Sequence, residues 1–258
     1  MKSVKLLMVL FLFWISTSFR VVAQKEQEDQ RLVVWETSVI PSQVRHYEEA
    51  IRKQAALLKK TNHQIPYWIY ATDDHLYYWV TPIDDYGDID GLNEAWQEFL
   101  TTAEKEEGYN QIYEFRGTLN FLKPQVMLLR NELSFMPEAR SSGGPYHYFR
   151  FGLCFVNSGY QREFEKTWKK WVSLFEENDV RIGWNLYECR FGNELPYYVW
   201  GETYQDEKSM AAERAEANRI LGEKSGKLWF ETEQFLRKIE YQTGWYRPEL
   251  SYIPPTTN

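Results

Sequence analysis

The phrase Arg130-Asn131-Glu132-Leu133-Ser134-Phe135-Met136-Pro137 returns 117 residues later as Arg247-Pro248-Glu249-Leu250-Ser251-Tyr252-Ile253-Pro254. The same offset sets Tyr47-Glu48 against Phe164-Glu165, and Lys53, Leu57, Ile65 and Tyr70 against Lys170, Leu174, Ile182 and Tyr187. An offset of 120 sets Tyr77-Tyr78 against Tyr197-Tyr198, which implies a longer hairpin in the second copy. Matches in one order over this length mark a duplicated unit. Two copies are too few for a solenoid. The expected division is residues 24–140 and 141–258, after a leader of residues 1–23.

Each copy reads as one series of elements. Residues 32–39 and 147–156 are β-branched and aromatic runs, hence strands. Pro41-Ser42 and Asn157-Ser158-Gly159 supply the turns that follow. Helical spacing then links Tyr47, Ile51, Ala55 and Leu58, and likewise Phe164, Trp168, Trp171, Val172 and Phe175. Second strands are expected over 65–71 and 182–189, and third strands over 76–80 and 197–203. A second helical region follows, interrupted by Gly108 in one copy and by Gly222 and Gly226 in the other. The repeated phrase is read as the fourth strand. The order β-α-β-β-α-β, twice, is the ferredoxin-like series. Each unit leaves one sheet face open, and the two open faces can cover each other. The fold class is therefore α+β: two fused ferredoxin-like repeats closing on a shared interior.

The strand–turn–helix starts, VIPSQVRHYEEAI at 39–51 and VNSGYQREFEKTW at 156–168, resemble those of the dimeric α/β-barrel superfamily. Its members include antibiotic-biosynthesis-type monooxygenases, EthD-like proteins and NIPSNAP-like proteins. The resemblance covers both halves and implies an intramolecular version of a barrel that relatives form as dimers. It implies no single activity, because the fold hosts several. The superfamily also includes haem-binding proteins, but no axial ligand is identifiable in this sequence, so the cofactor is left open.

Lys2 and Lys5 precede an apolar run from Leu6 to Ile15, and Val21-Val22-Ala23 follows. This is a signal-peptide pattern, too short to span a bilayer comfortably, with cleavage expected after Ala23 and an uncleaved anchor as the alternative. The expected location is periplasmic or secreted, with no membrane association after cleavage. Losing Lys2, Lys5 and Arg20 takes the net charge from −7 to −10. That balance argues against nucleic-acid binding, which needs clustered cations. Oligomeric state is left open, and a monomer suffices for the fold. Cys154 lies on the first strand of its copy and Cys189 ends the second. In a ferredoxin-like sheet the third strand separates them, roughly 10 Å apart and beyond disulfide reach. Two buried free thiols are expected.

Three features bear on chemistry. If the repeated phrase is a strand, Arg130, Glu132 and Ser134 share a face, as do Arg247, Glu249 and Ser251. An Arg–Glu pair there either clamps an anionic or carbonyl group or joins two elements, and the structural role is the commoner one. Second, 44 of the residues are Trp, Tyr or Phe, and many fall on strands: Tyr67-Trp68-Ile69-Tyr70, Tyr77-Tyr78-Trp79, Trp184, Tyr187, Tyr197, Tyr198, Trp200 and Tyr204. Strand side chains alternate, so some face the helices and some the barrel. Those in the barrel either line a small-molecule cavity or fill it solid. Third, Arg150, Glu188 and Glu202 give the second copy the more varied polar set.

The four histidines show no metal spacing, and the loop Asp84–Gly91 lacks the EF-hand pattern, so no metal site is expected. That loop is read as a turn whose Asp90 caps the next helix. Nucleotide, nucleophile-elbow and C-x-x-C motifs are absent. The main reading is an exported binding protein for a small apolar or aromatic molecule held in an aromatic-lined barrel, with Tyr187, Tyr198, Trp200, Arg150, Arg130 and Glu132 as contacts. The alternatives are a superfamily-type oxygenase or isomerase, with Arg247, Glu249 and Glu202 as candidate catalytic residues, and an interaction protein with a solid barrel.

Overall fold

The computed structural model describes residues 30–141 and 146–255. The expected leader and its cleavage site lie outside the described residues. The first series comprises β1 (Arg31–Val39), α1 (Val44–Lys60), β2 (Trp68–Thr72), β3 (Leu76–Ile83), α2 (Asp88–Glu107), the short α3 (Gln111–Glu114) and β4 (Leu119–Leu129). A one-turn helix, α4 (Glu138–Ser141), lies in the connection. The second comprises β5 (Tyr148–Val156), α5 (Gln161–Glu177), β6 (Trp184–Phe191), β7 (Tyr197–Tyr204), α6 (Glu207–Leu221), α7 (Glu223–Glu233) and β8 (Leu236–Tyr246). The eight strands form a closed antiparallel barrel in the order β1-β3-β2-β8-β5-β7-β6-β4. Each repeat contributes four consecutive staves, and the β2–β8 and β4–β6 pairs close the ring.

The alternation of strand side chains divides the aromatics between two layers. Tyr70, Tyr78, Phe151, Phe155, Tyr187 and Tyr197 point inward and pack with Val34, Met127 and Cys189. Within the barrel Tyr197 hydrogen-bonds Gln125 and Tyr78 hydrogen-bonds Gln242, each pair crossing between repeats. Gln125 also donates to Glu36 (3.0 Å). This packed interior differs from the expected barrel cavity. Tyr77, Trp79, Trp184, Tyr198 and Trp200 instead face the helices, in two separate cores. Cys154 belongs to a helix-side core and Cys189 to the barrel core, and both are free. β7 separates their strands, as expected. Burial pushes the Cys189 thiol up to about 11, so it stays protonated at neutral pH.

Several expectations are corrected. The fourth strands are Leu119–Leu129 and Leu236–Tyr246, in the region read as helical. Polar residues on their inward face, such as Lys123 and Gln125, mask the strand pattern. The hairpin shift is 121, not 120: Thr37 pairs with Tyr77 and Cys154 pairs with Tyr198, so Trp79 corresponds to Trp200. Asp90 does not cap α2, which begins at Asp88. The Asp88 carboxylate accepts from the backbone of Asp84 and Asp85 (2.8 and 3.0 Å), which makes the acidic loop a hydrogen-bonded turn. Gly108 ends α2 in a left-handed conformation (φ 63°), whereas Gly226 lies inside α7 without breaking it.

The repeated phrase leaves the barrel and crosses to the other repeat. Arg130 N–H donates to Leu186 carbonyl (2.8 Å), residues 131–133 form one 3-10 turn, and Phe135 bridges Trp184. The Arg130 guanidinium then meets Glu165 (2.7 Å) and Glu188 (2.7 Å) of the second repeat, and Glu132 beside it. The reciprocal contact is the same: Arg247 N–H donates to Ile69 carbonyl (2.8 Å), Tyr252 bridges Tyr67, and Arg247 meets Glu48 (2.7 Å) of the first repeat. Ser134 and Ser251 accept from Leu186 and Ile69 N–H, each at 2.9 Å. Leu133 and Leu250, both fully buried, enter the opposite repeat's core. The duplicated motif is therefore a crossed latch and not a strand face.

Burial alone would raise Glu48 and Glu165, but bonds from Arg247 and Tyr77, and from Arg130 and Tyr198, hold both below the ordinary 4.5. A lowered native pKa stabilises the fold above the ordinary carboxylate range, and that stabilisation is lost as pH falls through the native value. Arg130→Met and Arg247→Met are each expected to lower unfolding free energy by about 2 kcal/mol at pH 7. Urea unfolding at pH 7 and at pH 3 checks this: the deficit relative to wild type should shrink at the lower pH. An equal deficit at both would mean that the carboxylate partners do not matter.

Candidate functional site

A cavity of about 370 Å³ opens between the outer face of the second repeat's sheet and helices α5, α6 and α7. Its walls are indoles: Trp168 and Trp171 from α5, Trp184 from β6, Trp200 from β7 and Trp229 from α7. The spacing of Phe164, Trp168, Trp171 and Phe175 places one face of α5 over the sheet. Four of the five indole N–H groups donate to protein acceptors. Trp168 and Trp184 both donate to Leu133 carbonyl (3.1 and 3.0 Å), Trp171 to Thr232 (3.0 Å) and Trp229 to Glu233 (2.6 Å). Leu133 belongs to the first repeat's latch. That latch thus fixes two walls of the second repeat's cavity.

Beside the indoles lie Arg150, Glu202 and Arg214. Arg150 and Glu202 face each other across the β5–β7 pair, and Arg214 comes from α6. Arg214 donates to both Glu202 oxygens (3.0 and 2.8 Å), and Arg150 donates to one at 3.3 Å. The Tyr204 hydroxyl donates to the same carboxylate (2.9 Å). The Glu202 side chain is only 8% exposed, Arg150 12% and Arg214 35%. The Arg150 guanidinium also lies over the rings of Tyr241 (4.3 Å) and Trp200 (5.3 Å). Burial raises the Tyr241 phenol, an effect that Arg150 opposes. Burial beside Glu202 also raises Tyr204, so its hydroxyl remains a donor.

Two glycines shape this space. A Cβ on Gly152 would stand 2.3 Å from the Trp200 ring, so the bare backbone of β5 is what lets that indole lie across the strand. A Cβ on Gly226, an exposed helical residue at the cavity's edge, would meet nothing within 4 Å.

Of the residues singled out from sequence, Arg150, Trp200 and Glu202 line the cavity. Tyr198 packs in the same helix-side core but does not line the cavity, and its hydroxyl donates to the latch carboxylate Glu165 (2.8 Å). Tyr187 faces the barrel interior. Arg130, Glu132, Arg247 and Glu249 are in the latches, with Glu249 accepting from Arg247 (2.6 Å). Arg214, Trp168, Trp171 and Trp229 complete the site. Arg214 had one usable signal: it shares a helix face with Ala217, Asn218 and Leu221, at spacings of three, four and seven. Among the described residues no group of His, Cys, Asp and Glu gathers as a metal site, and no helix is long and apolar enough to cross a membrane.

No protein-family model matches the chain, and no curated protein matches it. Solved structures do share its architecture. An anthrone oxidase-like protein superposes with a TM-score of 0.58 at 11% identity, covering 86% of this chain and 92% of its own. A candidate monooxygenase of Fusobacterium nucleatum gives 0.53 at 13%, covering 85% and 93%. Another from Lactobacillus acidophilus NCFM gives 0.51 at 9%, covering 88% and 97%. These likenesses show the fold alone: two ferredoxin-like repeats closing one eight-stranded antiparallel barrel within a single chain.

Gly152→Ala is expected to push the Trp200 ring off the strand at a cost of about 1–3 kcal/mol. Urea unfolding followed by tryptophan fluorescence checks this. Unchanged stability and emission would show that Trp200 does not depend on that glycine.

Proposed function

We propose that the second repeat takes a small aromatic molecule into the cavity between its sheet and its helices, and that it acts on that molecule in the manner of an oxygenase or isomerase. The observation that carries this is the joint presence, in one cavity, of five indoles and a carboxylate set between two guanidiniums. Apolar walls with a few convergent polar groups are the usual form of a small-molecule site. The groups at hand support proton transfer at a carbon or oxygen, with the developing charge held by fixed cations. That step opens both an isomerisation and the reaction of an electron-rich anion with dioxygen. Similarity in fold to an anthrone oxidase-like protein and to candidate monooxygenases is in keeping with this reading.

The Gly226 position offers a direct test. Gly226→Leu puts a side chain into the cavity from a helical residue, where leucine is well tolerated. Titration of wild type with 2-naphthol should quench tryptophan fluorescence saturably. The variant should melt no lower than wild type and lose that quenching. Equal affinity in both proteins would place the binding site elsewhere.

We also propose that the protein acts after export. Amino-terminal sequencing of protein from the non-cytoplasmic fraction should begin at Gln24, and a first residue of Met1 would contradict it.

A further inference from the structure

We infer that the ligand of this cavity is an aromatic anion, a ring system bearing a carboxylate or a comparably acidic oxygen, held by Arg150 and Arg214; this rests on the small-molecule reading above. Two cations line the cavity and only one anion does. Glu202 is engaged chiefly by Arg214, which reaches both its oxygens, while Arg150 has a single 3.3 Å bond to it. Arg150 is nearly buried and is otherwise cushioned on the faces of Tyr241 and Trp200. A guanidinium placed so, without a full carboxylate partner, carries a desolvation cost that a bound anion would offset. Acids on the surrounding helices are engaged elsewhere: Glu231 meets Lys170, Glu213 meets Arg140, and Glu233 accepts from Trp229.

The pseudo-symmetry of the chain supplies an internal control. The 117-residue offset sets Arg150 against Val33, and the β3–β7 shift of 121 sets Glu202 against Thr81. Val33 packs there in a small apolar cluster with Ile83 and Val126. The first repeat therefore builds the same sheet and helix layer without a single charge at these two positions. The fold does not require the ion cluster, so its presence in the second repeat answers another need. Gly152 fits the same account. Its counterpart at the 117-residue offset is Trp35, so the second repeat has no side chain where the first has an indole, and Trp200 lies over the gap.

Three probes of one shape test this in the wild-type protein: naphthalene-2-carboxylate, naphthalene-2-carboxamide and naphthalen-2-ylmethylammonium. The carboxylate should bind at least about tenfold more tightly than the carboxamide, the difference a charge-assisted bond supports. The methylammonium compound should bind most weakly. Arg150→Met and Arg214→Met should each erase most of the carboxylate's advantage while keeping the carboxamide's affinity. Glu202→Gln removes the competing anion and should tighten carboxylate binding several-fold. Equal binding of carboxylate and carboxamide, or preference for the cation, would overturn the inference and leave the aromatic cavity standing. Binding of none of the three would overturn both readings.

Discussion

Arg130 of the first repeat meets Glu165 of the second, and Arg247 of the second meets Glu48 of the first. Each guanidinium is held by more than one carboxylate, and each lies just past a strand that completes the barrel. The backbone around it supplies an edge bridge to the other repeat, and one fully buried leucine follows into the other core. A four-stranded sheet with helices on one face leaves both edges and one face uncovered. The crossed latches, with the β2–β8 and β4–β6 pairs, remove all three exposures together.

The latch also connects stability to the site. Leu133 carbonyl, on the first repeat's latch, accepts from the indoles of Trp168 and Trp184, two walls of the second repeat's cavity. A donor pair converging on one carbonyl fixes both rings against rotation. The first repeat's core, which takes up Leu250 and Tyr252, has Tyr67 and Ile51 at the positions of Trp184 and Trp168. Duplication thus leaves two versions of one layer. One is packed as core, and the other is opened around Arg150, Glu202 and Arg214.

The fold was largely legible because repetition is visible without knowing any contact. The strand order, the separated cysteines and the two-faced use of aromatics follow from it. The fourth strands were not legible, since Lys123 and Gln125 face a barrel interior that is polar at those points. The latch was misplaced for a related reason: Arg-x-Glu-x-Ser has strand alternation, but Ser134 bonds back to Arg130 carbonyl (2.9 Å) and turns the chain. Part of the site, Arg150, Trp200 and Glu202, stood out by residue type on strands. Its side of the sheet did not, because an alternating aromatic strand reads the same from either face. Arg214 and the α5 and α7 tryptophans belong to the site only through helix packing that sequence periodicity does not aim.

On the proposed reading, the ligand lies outside the barrel, between the sheet and helices of the second repeat. Anomalous diffraction from crystals soaked with a bromonaphthalene carboxylate tests it without any assumption about activity. One bromine peak is expected among Trp200, Trp229 and Gly226, with the carboxylate toward Arg150. A peak on the barrel axis near Phe151 and Tyr197, or one under the first repeat's helices, would contradict it.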